Sequence, residues 1–449
     1  MLNIAVDYLI QAIWVTMLAT QSPVQQEPFR RIEGSSLADR IAKTVKQAGT
    51  DSPGKSFWTA YTFDVRNGVA VRIDGFHNPE FQGKVESFAG TEVFYGTLNG
   101  VPASSHNVAM FALHPAGSEF VTRIEICNLD RQQRPADSNP VYFLGHAGKD
   151  ESLADVRRLA ESGQSQEVRA RATLAIALHD DSRVSETLKN LVSKTTDSEV
   201  RSISIAWLGQ LKADTDFLSK LANQESSAET QIQTIQAIAR DKNGDTFPRL
   251  RSFYRPDLKP AVKMALIDAI ANARDRDSVA QFLLELEQND PSPEIKQHAI
   301  YTLRNFDSNA TIEELMKRFN AEQDENFKNQ IIYSLSQMRN PLIVDKLFEI
   351  ARENDNPRIR RQARYWIHDR IRQRTMKEER KATDRKAEDE FEAKAERIMK
   401  ERPPAEAVTI FTDIAKTDAN LRTRMMAVFY LSKLDDPRVV DFYNELLSR

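Results

Sequence analysis

The sequence predicts an α+β multidomain protein in which a small antiparallel β domain precedes an all-α solenoid that contains one elongated charged helix. Before about residue 147 apolar residues alternate with a period of two, and after it they recur at helical spacing. The helical part repeats at a nearly constant step of about 32 residues, as repeat arrays do. The chain of 449 residues is also longer than one compact domain, which rarely exceeds ~300 residues.

Composition limits the classes of function. Lys and Arg total 62 against 65 for Asp and Glu, and the resulting net charge of -3 provides no overall attraction for nucleic acid. Cys127 is the only cysteine, which excludes an intrachain disulfide and a cysteine-based zinc site. It lies in an alternating apolar run, so we predict a small strand residue, with a catalytic nucleophile as the alternative.

Residues 1–26 are predicted to be a signal peptide or an N-terminal helix. Residues 8–20 are mostly apolar, and this run is too short for a transmembrane helix but suits the apolar region of a signal peptide. The usual basic region before it is missing, and Asp7 interrupts its start. We favour an exported protein, periplasmic or extracellular, over a cytoplasmic protein with an amphipathic N-terminal helix.

Residues 27–51 are predicted to form a linker with a short helix. Ser36 and Asp39 resemble a capping box, in which side chains satisfy the free N–H groups of the first helical turn. Leu37, Ile41 and Val45 share one helical face, which predicts a short helix over residues 35–48.

Residues 52–146 are predicted to form the β domain, since short alternating segments are separated there by turn residues. The pair Asn67-Gly68 lies between two such segments and predicts a hairpin, because both turn positions need positive φ. The pair Asn99-Gly100 marks a possible second turn. Further strands are expected near residues 92–95, 108–113, 119–127 and 141–144.

The histidines of the β domain lie in different segments without paired spacing: His77, His106, His114 and His146. Metal-binding motifs usually place two ligands within a few residues of each other. The sequence also lacks a nucleophile elbow, a phosphate-binding loop and a dinucleotide fingerprint. We therefore predict no catalytic, cofactor-binding or metal site.

The helical part, residues 150–449, consists of units that open on a buried-type residue followed mostly by a cationic or polar one. These opening residues are Val168, Val200, Ile232, Val262, Ile295, Phe327, Ile359 and, after a step of nearly two periods, Leu421. A second apolar helix follows within each unit, which predicts an α-solenoid. Trp207 and Trp366 stand seven residues after their openings, and we expect both to pack in the core.

The units resemble HEAT repeats, and the short ones look most like the bacterial HEAT-like repeats first noted in phycobilisome lyases. The openings Pro293-Glu294-Ile295-Lys296 and Pro357-Arg358-Ile359-Arg360 carry this resemblance, whereas Ile232 and Val262 depart from it. The resemblance implies a solenoid whose surface binds partners, and the family has no shared catalytic residues to transfer.

Residues 358–402 are predicted to form one elongated helix about 65 Å long. Between residues 369 and 402 we count 12 Lys and Arg and 10 Asp and Glu, many of them at i,i+4 spacing, and no Gly or Pro. Phe391, Ala395 and Ile398 form a short apolar stripe that could dock the end of this helix. The alternative is a disordered charged loop.

The first turns of this helix carry the candidate partner-binding residues Arg361, Arg364, His368 and Arg372, which recur at spacings of three, four and four. Such spacing predicts a shared outer face, and arginine binds carboxylates and phosphates in bidentate fashion. We expect an acidic protein segment or another polyanion as the ligand. The alternative is neutralisation by carboxylates of the preceding repeat, such as Glu349 and Glu353.

The function predicted from the sequence is a non-enzymatic protein–protein interaction scaffold, without a cofactor and without a transmembrane span. One alternative is a HEAT-like enzyme of the bilin lyase or DNA glycosylase type; the acidic net charge disfavours the glycosylase. A second alternative is binding of nucleic acid or another polyanion through the arginine-rich helix. The sequence indicates neither the partner nor the oligomeric state.

Overall fold

The computed structural model describes residues 29–72, 81–98, 100–211, 215–225, 227–241, 246–376 and 385–448. The predicted fold class, a β-rich region followed by consecutive helices, is confirmed. The expected signal peptide or helix at residues 1–26 lies outside the described residues, as does His77. The chain divides into two compact units, Met1–Leu218 and Ser219–Arg449, hereafter unit 1 and unit 2.

Unit 1 contains the β domain. Its strands are β1 (Arg30–Arg31), β2 (Phe57–Thr62), β3 (Val69–Val71), β4 (Phe81–Phe88), β5 (Thr91–Leu98), β6 (Val101–Pro102), β7 (Val108–His114), β8 (Arg123–Asn128) and β9 (Val141–His146). One sheet has the order β1-β9-β2-β7-β8, and the other has the order β3-β5-β4 with β6 on β5. Most pairs are antiparallel, but β9 runs parallel to both β1 and β2.

The helix between β1 and β2 is α1 (Leu37–Asp51), and its predicted cap is present. The Asp39 backbone N–H donates to the Ser36 hydroxyl (3.1 Å). The Asp39 carboxylate accepts from the N–H of Ser35 (2.9 Å), one residue before the expected position. The first bond satisfies a donor that the first helical turn would otherwise leave free, and the second fixes the chain just before the N-cap.

The hairpin predicted at Asn67-Gly68 is wrong. Gly68 does adopt a positive φ of 77°, so the turn exists. However, β2 pairs with β7 and β9, whereas β3 pairs with β5 in the other sheet. The turn therefore carries the chain from one sheet to the other, because both flanking strands are buried and find their partners far along the sequence. The second predicted turn is confirmed, since Leu98 pairs with Val101 around Gly100.

The helices that follow fit the predicted repeats. In unit 1 they are α2 (Lys149–Ser162), α3 (Gln166–Leu178), α4 (Val184–Lys194) and α5 (Ser198–Gln210), and α6 (Thr215–Gln224) contains the unit boundary. In unit 2 the repeats continue with α7 (Ala228–Ala239), α8 (Thr246–Ser252), α9 (Pro260–Ala271), α10 (Arg276–Asn289), α11 (Pro293–Leu303), α12 (Asn309–Ala321), α13 (Glu325–Gln337) and α14 (Leu342–Glu353). The remaining described helices are α15 (Pro357–Met376), α16 (Arg385–Glu401), α17 (Pro404–Thr417), α18 (Leu421–Ser432) and α19 (Pro437–Ser448).

In unit 2 the first helices of successive repeats, α9, α11, α13 and α15, pack side by side. Their opening residues Val262, Ile295 and Ile359 are buried, because each faces the helix pair of its own repeat and of its neighbour. The cation after the opening residue ties repeats together. In unit 1 Arg169 pairs with Asp197 (2.7 Å), and in unit 2 Lys263 pairs with Asp290 (2.8 Å).

The prediction of a single elongated helix over residues 358–402 is wrong. The structure shows two helices, α15 and α16, and residues 377–384 between them lie outside the described part. His368 of α15 packs on Phe429 of α18 (5.5 Å between ring centroids), and Phe391 of α16 packs on the next residue, Tyr430 (6.4 Å). In one straight helix residues 368 and 391 would lie about 34 Å apart. The physical reason for two helices is the burial of the apolar stripe, since Phe391 and Ala395 are removed from water.

Among the residues that the structure describes, no helix combines the length and the apolar character needed to cross a membrane.

Candidate functional site

The four predicted site residues do not share one outer face. Arg361 and Arg372 are exposed on α15, as expected. Arg364 and His368, in contrast, are buried, with only 1% and 6% of their surface accessible. The prediction of an outer face is wrong for these two residues because α18 and the segment before α19 pack over that side of α15.

Arg364 is held by Asp435, which lies between α18 and α19. Its Nη1 donates to Asp435 Oδ1 (2.8 Å), and its Nε donates to the carbonyl of Ser432 (3.4 Å). Arg360 also pairs with Asp435, and hydrogen bonds from the two guanidinium groups, Arg360 first, lower the pKa of this carboxyl. Neutralisation by a neighbouring carboxylate is thus correct for Arg364, but the partner is Asp435. Glu349 pairs with Lys346 (3.3 Å).

His368 does not act as a cation at neutral pH. Burial lowers the pKa of its imidazole to about 4. Its ring packs on Phe429, and its Nδ1 atom has no hydrogen-bond partner. His368 is therefore a neutral wall residue rather than one of four exposed charges.

A cavity of about 430 Å³ opens between α15 and α18, next to His368. Its apolar lining comes from Tyr365, Met425, Met426 and Phe429. Asp369, Arg372 and Arg422 supply charge, and Arg372 pairs with Asp369 (2.9 Å). Methionine and aromatic side chains adapt to varied apolar groups, and an exposed arginine retains donors for a carboxylate. We call this cavity the Met425 pocket.

A row of aromatic side chains leads to the Met425 pocket, and sequence reasoning missed it. Tyr301 stacks on Tyr333 (6.3 Å between centroids, 8° between planes), Tyr333 meets Trp366 edge-on (5.5 Å), and Trp366 contacts Tyr365 (5.1 Å). The three tyrosines each stand six residues after an opening residue, a 32-residue period that could have revealed them. Tyr301 and Tyr365 are 43% and 41% exposed, although core side chains would be covered. We call these four residues the tyrosine row.

A second cavity, of about 360 Å³, lies at the Tyr301 end of the tyrosine row. Its polar lining side chains include Glu294, Gln297, His298 and Gln330. His298 pairs with Asp268 (2.8 Å), and the buried side-chain oxygen of Gln330 has no hydrogen-bond partner. We call this cavity the Gln330 pocket.

Two further candidate residues, His114 and Cys127, are buried in β7 and β8. His114 is buried against Phe57 and Thr59, and burial lowers its pKa to about 4. Cys127 is buried in β8, and burial raises the pKa of its thiol to about 12, so it lacks the thiolate that a nucleophile needs. Within the described ranges, no group of three or more His, Cys, Asp or Glu side chains is placed to hold a metal ion.

The comparisons with known proteins agree with the repeat architecture. A family model of HEAT repeats matches residues 280–366, which contain the whole tyrosine row. No curated protein matches the chain. The matched segment is a part of the helical region, and this part is similar to HEAT repeats.

Proposed function

We propose that this protein is a non-enzymatic interaction scaffold that binds a partner protein at the Met425 pocket. The observation that carries the proposal is the cavity itself, which exposes Met425, Met426 and Phe429 next to cationic side chains. HEAT repeats commonly form protein-interaction surfaces, and a cavity with an apolar lining and a charged rim resembles the centre of such surfaces.

The partner segment carries an apolar side chain and a carboxylate. The apolar group enters the pocket between Tyr365 and Met425. The carboxylate pairs with Arg372, which lines the pocket, and Arg361 adds positive charge about three helical turns away. Both arginines are exposed on the same side of α15 as Tyr365, because they stand seven residues after and four residues before it. Of the four residues predicted from the sequence, Arg361 and Arg372 bind, whereas Arg364 and His368 support the site from inside.

The test is a charge-reversal double variant, Arg361→Glu with Arg372→Glu. We expect capture of the partner to fall by about tenfold at ~50 mM salt and by less at ~300 mM, because salt screens exposed charges. The matched control is Arg157→Glu with Arg158→Glu, two exposed arginines of α2 that also pair with carboxylates. Unchanged capture by the first variant, or an equal loss in the control, contradicts the proposal.

For compartment and subtype we propose an exported protein with repeats of the bacterial HEAT-like kind. The apolar run at residues 8–20 supports export, and the openings at Pro293 and Pro357 support the subtype. N-terminal sequencing of the native protein should then begin between about residues 19 and 27. Recovery of an intact Met1 from cytoplasm contradicts export.

A further inference from the structure

We propose that the tyrosine row and the pockets at its two ends bind one extended polypeptide segment of a partner, with a basic residue at the Glu294 end and an acidic residue at the Arg372 end. This inference rests on the proposed function and extends it, since it adds the conformation, direction and charge pattern of the segment. Four observations support it.

The first observation is an equivalent contact inside unit 1. Trp207 and Trp366 occupy the same repeat position, seven residues after Val200 and Ile359. Trp207 is fully buried, because Phe88 of β4 (5.9 Å) and Tyr95 of β5 (5.5 Å) pack on its ring. Extended strands of this chain thus already cover that repeat position in unit 1, and the same position in unit 2 adjoins the exposed ring of Tyr365.

The second observation concerns hydrogen bonds to a strand backbone. In unit 1 Arg171, three residues after its opening residue, donates to the carbonyl of Ile124 in β8. The same repeat position in α13 is Gln330, whose side-chain oxygen is without a partner. An extended segment exposes the backbone N–H and C=O groups that such an amide can pair with, whereas a helix satisfies them internally.

The third observation is the shape of the tyrosine row, which is one ring wide with polar side chains beside it. Same-side residues of an extended segment recur every ~6.7 Å, close to the 6.3 Å between Tyr301 and Tyr333. A helix repeats at a similar rise but is about 10 Å wide, so it needs a broader apolar surface. Bases of nucleic acid would need free ring faces, whereas the guanidinium of Arg304 already lies over a face of Tyr301, 3.7 Å from its centroid.

The fourth observation is charge. Glu294 lines the Gln330 pocket, and Asp268 lies beside it, paired with His298 (2.8 Å). At the other end of the row, Arg361 and Arg372 are exposed around Tyr365. Arg304 is a cation at the Glu294 end, since its guanidinium lies 3.7 Å from the centroid of the Tyr301 ring. The carboxylates of Glu294 and Asp268 at that end and the two arginines at the other still favour one direction of a bound segment, because reversing it would place more like charges together.

In the experiment, a phage-displayed library of random linear peptides is selected for binding to the full-length chain. Each peptide has about 12 residues, which is roughly 40 Å when extended. Enriched peptides are then measured for binding to Tyr301→Ala, Tyr365→Ala and the matched control Phe120→Ala, another exposed aromatic residue. We expect each tyrosine variant to weaken binding by about tenfold, as anchor residues do, and the control by less than about twofold. Circular dichroism verifies the fold of each variant.

The enriched sequences provide a second readout. Alternating apolar residues at i, i+2 and i+4 between a basic and an acidic end support the proposal, whereas apolar residues at i, i+3 and i+4 indicate a helix and overturn it. Peptides that need Tyr365 but tolerate Tyr301→Ala overturn the extended site and leave the proposed function standing, because Tyr365 also lines the Met425 pocket. Peptides that tolerate both tyrosine variants, or no enrichment at all, overturn both.

Discussion

The first helices of the repeats present the same face in both units, but this face is covered in unit 1 and exposed in unit 2. In unit 1, strands of the β domain lie on α3 and α5, so that Trp207 is fully buried. In unit 2, Tyr301 and Tyr365 on the corresponding face of α11 and α15 retain about two fifths of their surface. The repeat pattern alone thus does not decide which surface is core and which is available to a partner.

The comparison also distinguishes cations that hold helices of the fold together from cations that a partner can reach. Arg169 and Lys263 hold adjacent repeats together through Asp197 and Asp290. Arg364 does the same through Asp435. Arg372, in contrast, pairs with Asp369 of its own helix and keeps more than half of its side chain exposed. An arginine on a repeat helix is therefore a binding candidate only after its partner across the helix interface has been identified.

The largest expected difference between the units is their response to acid. Burial lowers the pKa values of His114 and His179 in unit 1, and of His368 in unit 2, to about 4. In the unfolded chain the histidines bind protons near pH 6.5. The free energy of unfolding therefore has its full value above that pH and falls as the pH drops toward 4, by about 3 kcal/mol per histidine. Urea unfolding at several pH values, with a probe in each unit, should show the steeper loss in unit 1.

The control for this prediction is His179→Gln, which removes one of the two buried histidines of unit 1 and should reduce the pH-dependent loss there. An equal pH dependence of the two units, or stability that does not change between pH 6.5 and 4, contradicts the assignment of buried neutral histidines.

Removal of the covered tryptophan should be the next largest effect. Trp207→Ala leaves a cavity between the β domain and α5, and we expect a loss of about 3–5 kcal/mol in the free energy of unfolding. Denaturant melts measure this loss directly. A loss below about 1 kcal/mol would show that the strands contribute little to the stability of unit 1.

The ion pair of Arg364 with Asp435 can be compared directly with the ion pair of Arg372 with Asp369. Asp435→Ala leaves Arg364 buried without its carboxylate, and we expect a loss of about 3 kcal/mol. Asp369→Ala removes the partner of the exposed Arg372, and we expect a loss below about 1 kcal/mol. Similar losses in the two variants would argue against the distinction between a structural and an available arginine.

The smallest expected effect on stability is that of the exposed tyrosines. Tyr301→Ala should change the free energy of unfolding by less than about 1 kcal/mol, since much of its ring is already in water. A loss above about 2 kcal/mol would place Tyr301 in the core and remove the contrast with Trp207.

Local patterns were sufficient for much of the fold. The capping residues Ser36 and Asp39 predicted the start of α1, and the 32-residue period predicted the helix pairs, because both depend on neighbours within a few turns of chain. The candidate site was only half predictable. Exposed Arg361 and Arg372 follow from helical spacing, but the burial of Arg364 depends on Asp435, 71 residues later.

The sequence by itself determined the type of each element, since the spacing of apolar residues specifies which face must leave water. Only the tertiary structure decided the pairing of those faces. The turn at Gly68 joins two sheets rather than two paired strands, and the charged segment forms two helices that meet α18. The physical reason is that a buried face requires a complementary surface, but the local sequence does not specify which distant segment provides it. Covering Trp207 with strands and leaving Tyr301 and Tyr365 exposed are therefore outcomes of packing, not of local pattern.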